Sequence, residues 1–336
     1  MKHRKLICRV CFAAAIMAAL MFNANIAASG AAAGVDLCLK VIVPSLFPFF
    51  VISTYLNHCL LGIRIPGIRS IARLFRIPDG GESLLLLGLI GGYPVGAQLI
   101  TDAYRSGQLN KRTAQILLGY CSNAGPAFIF GITGSLFSST WMSFGLWGIH
   151  ILSALLTGFL LPRPCKETQY TPSTATITLP AAMERSIRIC ATVCGWIVLF
   201  KILLSYLNIL LAPIASHHTM ITISAIMELA NGCIQLSQLS NHTSRFILCS
   251  AYLSFGGLCV LLQTVSVTAE LGLGLYTPGK LMQTSLSILL SIVFCAFFFH
   301  EFTIAWLPVS CACIVLIIYF HRYSEKRYGN PAENTV

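Results

Sequence analysis

Ten apolar runs recur along this chain of 336 residues, each close to the roughly 20 residues that a helix needs to cross a bilayer. They fall near 7–28, 41–62, 83–101, 113–137, 140–161, 187–212, 215–239, 246–267, 280–300 and 303–320. Little chain is left for a domain outside the membrane, so the expected class is an all-α polytopic membrane protein that works within the bilayer. Composition agrees: 10% of residues are charged and 56% are hydrophobic, where a soluble domain carries about 25% charged residues.

The net charge of +11 does not point to nucleic acid. Most basic residues sit in five short stretches beside apolar runs: Lys2 to Arg9, Arg64 to Arg76, Arg105 to Arg112, Arg163 to Arg188 and Arg322 to Arg327. Phosphate binding needs a continuous basic face, whereas this dispersal is the positive-inside pattern. If all ten runs crossed, the linkers around 102–112 and 162–186 would lie outside and break that pattern. It is kept if 83–101 dips in and returns, and if either 215–239 or 246–267 does the same. The expectation is therefore about eight spanning helices plus two re-entrant or broken segments, with both termini cytoplasmic. A re-entrant tip needs residues that reverse the backbone, and Gly91, Gly92, Pro94 and Gly96 supply them.

The polar, Pro/Thr-rich linker 162–186 divides the chain. The expected organisation is an N-terminal anchor helix and amphipathic stretch (1–40), a first repeat (41–161), the cytoplasmic linker, a second repeat (187–300), and a last helix with a basic tail (301–336). Gly91-Gly92-Tyr93-Pro94-Val95-Gly96-Ala97-Gln98 lines up with Gly256-Gly257-Leu258-Cys259-Val260-Leu261-Leu262-Gln263, sharing Gly, Gly, Val and Gln. With one re-entrant segment per half, the second repeat is inverted, as in secondary transporters whose solute site lies where broken helices meet at the midplane. Matching Gly-rich segments also arise from helix packing alone.

Ala27 to Ala31 resembles a signal cleavage region, but the apolar character runs on, so an uncleaved anchor is expected. The 14 cysteines lie mostly inside apolar runs and read as small hydrophobes, and Cys8-x-x-Cys11 has no second pair to complete a metal site. No metalloprotease, nucleophile-elbow or P-loop spacing is present, so neither an enzyme nor a cofactor is expected.

Residues out of place in lipid mark the candidate site. Ser122 and Asn123 precede Gly125-Pro126, where the helix should break and expose backbone groups near mid-membrane. These polar side chains either bind a solute or belong to a kinked helix in which Asn123 caps the second half. Lys201 and Glu228 read as the two ionisable residues deep in apolar runs, and Glu228 precedes Asn231-Gly232. They serve either as anion ligand and as gate, proton carrier or cation ligand, or as a buried pair.

Pro44-Ser45-Leu46-Phe47-Pro48-Phe49-Phe50, Gly92 to Ala97, Cys121 to Ile129, Glu228 to Gly232, and Phe255-Gly256-Gly257 with Val260 and Gln263 together resemble the YlbJ-type sporulation integral membrane proteins, the stage V SpoVV group. These carry the nucleoside-recognition or Gate domain. The resemblance covers about residues 40 to 300. It implies a spore-forming bacterium and a place in the mother-cell-derived outer forespore membrane, where the family helps move dipicolinic acid toward the forespore, with a possible solute-capturing partner there. For such an aromatic dianion, Asn123, Gln98, Gln263 and Lys201 would be ligands and Tyr93 a stacking surface. The departures are Ser122 where the pattern often has a second Asn, and Leu258-Cys259 opposite Tyr93-Pro94. Competing readings are a scaffold of the spore envelope and a nucleoside-type solute transporter.

Overall fold

The computed structural model describes residues 2–60, 62–75, 77, 79–137, 139–164, 177–299 and 304–329, and among these the chain is helical, without strands. Helix α1 (Lys2–Phe22) is followed by α2 (Ala24–Leu37), which passes through the π-turn Cys38–Ile42 into α3 (Val43–Leu60) as one helix of 37 residues. The boundary expected at residue 40 therefore falls inside a continuous helix. A short amphipathic helix α4 (Pro66–Leu74) leads to α5 (Glu82–Ile90) and α6 (Val95–Arg105). Then come α7 (Lys111–Leu117), capped by Asn110, and α8 (Pro126–Phe128), which continues through a π-turn to Thr133 and a 3-10 turn to Leu136. Helix α9 (Thr140–Leu160) closes the first half.

Helix α10 (Leu179–Leu211) begins before the expected 187, because Thr178 caps it and Pro180 suits its first turn. Most of the linker, 165–176, lies outside the described residues. The second half continues with α11 (His217–Met227), α12 (Leu229–Gln235), α13 (His242–Phe255), α14 (Gly257–Val267), α15 (Tyr276–Phe298) and α16 (Leu307–Tyr328). Among the described residues six helices are long and apolar enough to cross a membrane: Ala24–Leu60, Thr140–Leu160, Leu179–Leu211, His242–Val267, Tyr276–Phe298 and Leu307–Tyr328. The chain is an integral membrane protein.

The longest pairing in the fold joins α2–α3 to α10. It is made possible by the small residues that look like a cleavage region in sequence. Gly30 and Gly34 form one face of α2, and a Cβ at either would lie within 3 Å of α10, at Ser205 Oγ and at the Val198 Cα. Close approach at a Gly-x-x-x-Gly face lets dispersion contacts hold helices together in lipid, where the hydrophobic effect cannot.

Two pairs of short helices fold back on themselves. α5 and α6 pack together around the reversal at 91–94, and α11 packs against α12 so closely that a Cβ on Gly232 would sit 2.2 Å from the Ala225 Cα. Of the two second-half segments considered, 217–238 is thus the one that turns back, and 242–267 runs on through a bend at Gly256. The aligned Gly-Gly motifs consequently stand in unlike places: Gly91-Gly92 is a hairpin tip, whereas Gly256-Gly257 is the bend of a through-running helix. In chain order each half instead contains a hairpin and then a helical segment with a break in it, 111–136 and 242–267.

At one end of the bundle lie the C-terminal end of α6, the start of α7, the loop after α14 and the end of α16. Arg105 pairs with Glu270 at 3.2 Å, Gln115 Nε2 donates to the Leu271 carbonyl at 2.8 Å, Arg112 donates to the Tyr328 carbonyl, and Tyr328 Oη reaches Gln115 at 3.0 Å. Arg185, at the start of α10, joins the same end by pairing with Asp102.

Candidate functional site

The four breaks meet in the middle of the molecule. Gly92, with φ of +81°, opens the first hairpin tip, followed by the cis Tyr93–Pro94 peptide. Gly125 rests on it, since a Cβ there would come within 3.0 Å of the Gly92 Cα. Gly96, in the first turn of α6, lies against the Cys121 carbonyl so closely that a Cβ would be 2.2 Å away. In the second half, Gly257 (φ +80°) packs on the last carbonyls of α11, at Ala225 and Ile226. Pro126 starts α8 after an extended Gly125, at a first-turn position where a helix has no partner for the amide that proline lacks.

Between these breaks is a narrow cavity with about 30 Å³ of water-accessible space, lined by Gly92, Tyr93, Gly125, Glu228, Val260 and Gln263 among others. It has room for one or two waters.

Behind Tyr93 lies a polar cluster. Lys280, 2% exposed, donates to Tyr93 Oη (3.1 Å), Asn123 Oδ1 (3.2 Å) and Gln283 Oε1 (2.7 Å). All three ammonium protons are thereby used on neutral acceptors, and among the described residues no ion pair includes Lys280. Its charge also faces the Tyr93 ring, 5.0 Å from the centroid. Gln283 Nε2 donates to Asn123 Oδ1 at 2.9 Å, and Asn123 Nδ2 donates to the carbonyls of Tyr120 and Gly88 at 2.6 and 3.2 Å. His150 Nε2 accepts from the Ala124 amide at 3.0 Å, which places the ring proton on Nδ1, facing Ser254 Oγ at 3.3 Å. Tyr93 Oη donates to the Leu253 carbonyl at 3.3 Å. The cluster thus stitches the first half to the second at the hairpin tip.

Glu228 is the N-cap of α12, its two oxygens accepting from the amides of Ala230 (2.9 Å) and Asn231 (2.7 Å). This arrangement meets the carboxylate with the positive end of the helix. Lys201 donates to Asn231 Oδ1 at 2.7 Å. Of the two readings of these residues, a direct Lys201–Glu228 pair is not formed; the two are linked through Asn231.

Of the expected site residues, Tyr93, Glu228 and Gln263 line the cavity, with Gly92 and Gly125. Ser122 is buried beside it, its hydroxyl without a partner. Asn123 does not cap α8, since its side chain is spent on Lys280, Gln283 and two carbonyls. Gln98 stands apart: with its amide oxygen turned to the guanidinium it accepts from Arg185 at 2.8 and 3.0 Å.

The reading that only Lys201 and Glu228 are ionisable and deep is corrected by Lys280 and His150, both buried. Lys280 stands at the edge of an apolar run in sequence, but α15 begins at Tyr276 and other elements cover its first turns. A signal was present: Lys280 and Gln283 are spaced i, i+3 and share a helix face. His150 is midway along α9.

The chain is similar to the sporulation integral membrane protein YlbJ of Bacillus subtilis (strain 168), with 28% identity over 159 residues. The match covers 45% of this chain and 38% of that protein. No family model and no solved structure matches the chain.

Proposed function

We propose that this membrane protein is a secondary or facilitative carrier of a small organic anion. The observation that carries the reading is Lys280, a buried amine held wholly by neutral acceptors at the point where the two halves meet. An ammonium without a counter-charge is costly to bury, and an anionic solute would supply the counter-charge that favours the protonated amine. Tyr93 stands between the cavity and Lys280, so its ring offers a stacking face to an aromatic solute while its hydroxyl shares the ammonium.

The hairpin followed by a broken through-helix in each half supports an inverted-repeat architecture, with α5–α6 equivalent to α11–α12 and the 111–136 segment equivalent to 242–267. Adding α1 and these two broken helices to the other long helices makes eight crossings. Both hairpins then dip in from opposite sides. The clustering of Arg105, Arg112, Arg185 and the α16 tail at one end fits a cytoplasmic placement of that end and of both termini. The resemblance to YlbJ-type proteins supplies the candidate solute, dipicolinate, and the candidate location, the outer forespore membrane during sporulation.

The test is uptake of labelled dipicolinate by proteoliposomes holding the purified chain. Uptake that saturates with concentration and is lost in Lys280→Met supports the carrier. A folded protein that moves no organic anion sinks it in favour of a scaffold of the spore envelope.

A further inference from the structure

A second polar pocket, with about 300 Å³ of water-accessible space, opens at the end of the bundle that gathers the basic stretches. Its walls come from the last turn of α3 (Asn57, His58), the end of α6 and the turn after it (Asp102, Arg105), and the start of α10 (Arg185). Asp102 accepts from Arg185, and Arg105 Nη1 is 4.0 Å from its other oxygen. Arg105 also holds Glu270 at 3.2 Å, outside the pocket lining. Two carboxylates thus answer two guanidinium groups, and Arg185, held by Asp102 alone among the acidic groups here, is the guanidinium for which an incoming carboxylate can compete. Asn57, 4% exposed, has its Oδ1 buried without a hydrogen-bond partner, and a primary amide can present either oxygen or NH2 to an incoming group.

We infer that this pocket is a vestibule subsite for a carboxylate, in which Arg185 is the ligand and Asp102 is the built-in occupant that the solute displaces. The inference rests on the anion-carrier reading for its purpose, while the binding itself follows from the pocket. The guanidinium fork suits a planar carboxylate and suits a spherical halide poorly. Helix α6 links the two places: Gln98, one turn from Asp102, also faces Arg185, and the N-terminal end of α6 is the hairpin tip beside Tyr93. Displacing Asp102 therefore loosens the anchor of that hairpin at the moment the solute arrives.

The test is protection of Arg185 from phenylglyoxal in the purified full-length protein, read by mass spectrometry with exposed Arg73 as the internal control. Sodium dipicolinate and sodium benzoate are the probes and sodium chloride at equal ionic strength is the comparison. Saturable protection of Arg185 but not Arg73 is expected. In Asp102→Asn, half-protection should need roughly tenfold less carboxylate, because the competitor is gone. No protection at any concentration, or equal protection by chloride, would overturn the subsite. Protection of Arg185 in a protein that takes up no anion into proteoliposomes would leave the subsite standing and remove the carrier reading.

Discussion

The ammonium of Lys280, in the second half of the chain, lies 3.2 Å from the side-chain oxygen of Asn123 in the first. That same oxygen accepts from Gln283 at 2.9 Å, while the Asn123 amide is tied to the carbonyls of Tyr120 and Gly88. One side chain thus joins the broken helix, the first hairpin and α15. Any solute that drew Lys280 away would loosen all three.

Lys280→Met separates binding from folding. The change relieves the burial of an amine without a counter-charge, but it takes the donor from the buried Gln283 Oε1, which costs about 1–3 kcal/mol. The two effects oppose each other, so stability in detergent should change by no more than about 2 kcal/mol, while dipicolinate uptake falls by roughly ten- to a hundredfold, since a hydrogen bond to a charged group contributes about 1.5–3 kcal/mol. Wild-type uptake in the variant would take Lys280 out of the site.

Lys201 and Glu228 should behave as neighbours of a shared partner. Glu228→Gln removes a carboxylate cap and Lys201→Met leaves Asn231 Oδ1 unpaired, each costing about 1–2 kcal/mol. The coupling from a double-mutant cycle should stay under about 1 kcal/mol, because Asn231 relays the contact. Singles costing about 3–5 kcal/mol, with recovery in the double mutant, would mark a direct buried pair instead.

Gly96→Ala tests the docking of the first hairpin. Its Cβ would lie 2.2 Å from a backbone carbonyl, which cannot rotate away, so the cost should reach the upper end of the 1–3 kcal/mol typical of overpacking. Gly67→Ala, where nothing lies within 4 Å of the added Cβ, is the control and should leave stability unchanged. Equal melting temperatures for the two variants would contradict the packing described.

Cysteines placed at 107 and 326, in a background without native thiols, should react with an impermeant maleimide from the same side of the membrane. Both positions are exposed, and Arg112 and Gln115 tie the start of α7 to Tyr328 at the end of α16. Labelling from opposite sides would refute the common end.

The amino-acid sequence by itself determined that this is a helical membrane protein, where its apolar helices run, and where Gly91 to Pro94, Gly125-Pro126 and Gly256-Gly257 interrupt them. Hydropathy and backbone preference are local properties, so a single chain displays them. It also singled out Tyr93, Glu228 and Gln263, which converge on one cavity. Only the tertiary structure decided which second-half segment folds back, because that depends on Gly232 meeting Ala225. It likewise decided that Gln98 faces Arg185 and that Glu228 caps α12 while Lys201 reaches Asn231. Lys280 shows the limit most sharply. At the end of an apolar run, a lysine in sequence is a residue for the water interface. Burial, though, is set by every element that packs over a position, and here the hairpin tip and the broken helix, nearly two hundred residues away at Tyr93, enclose it.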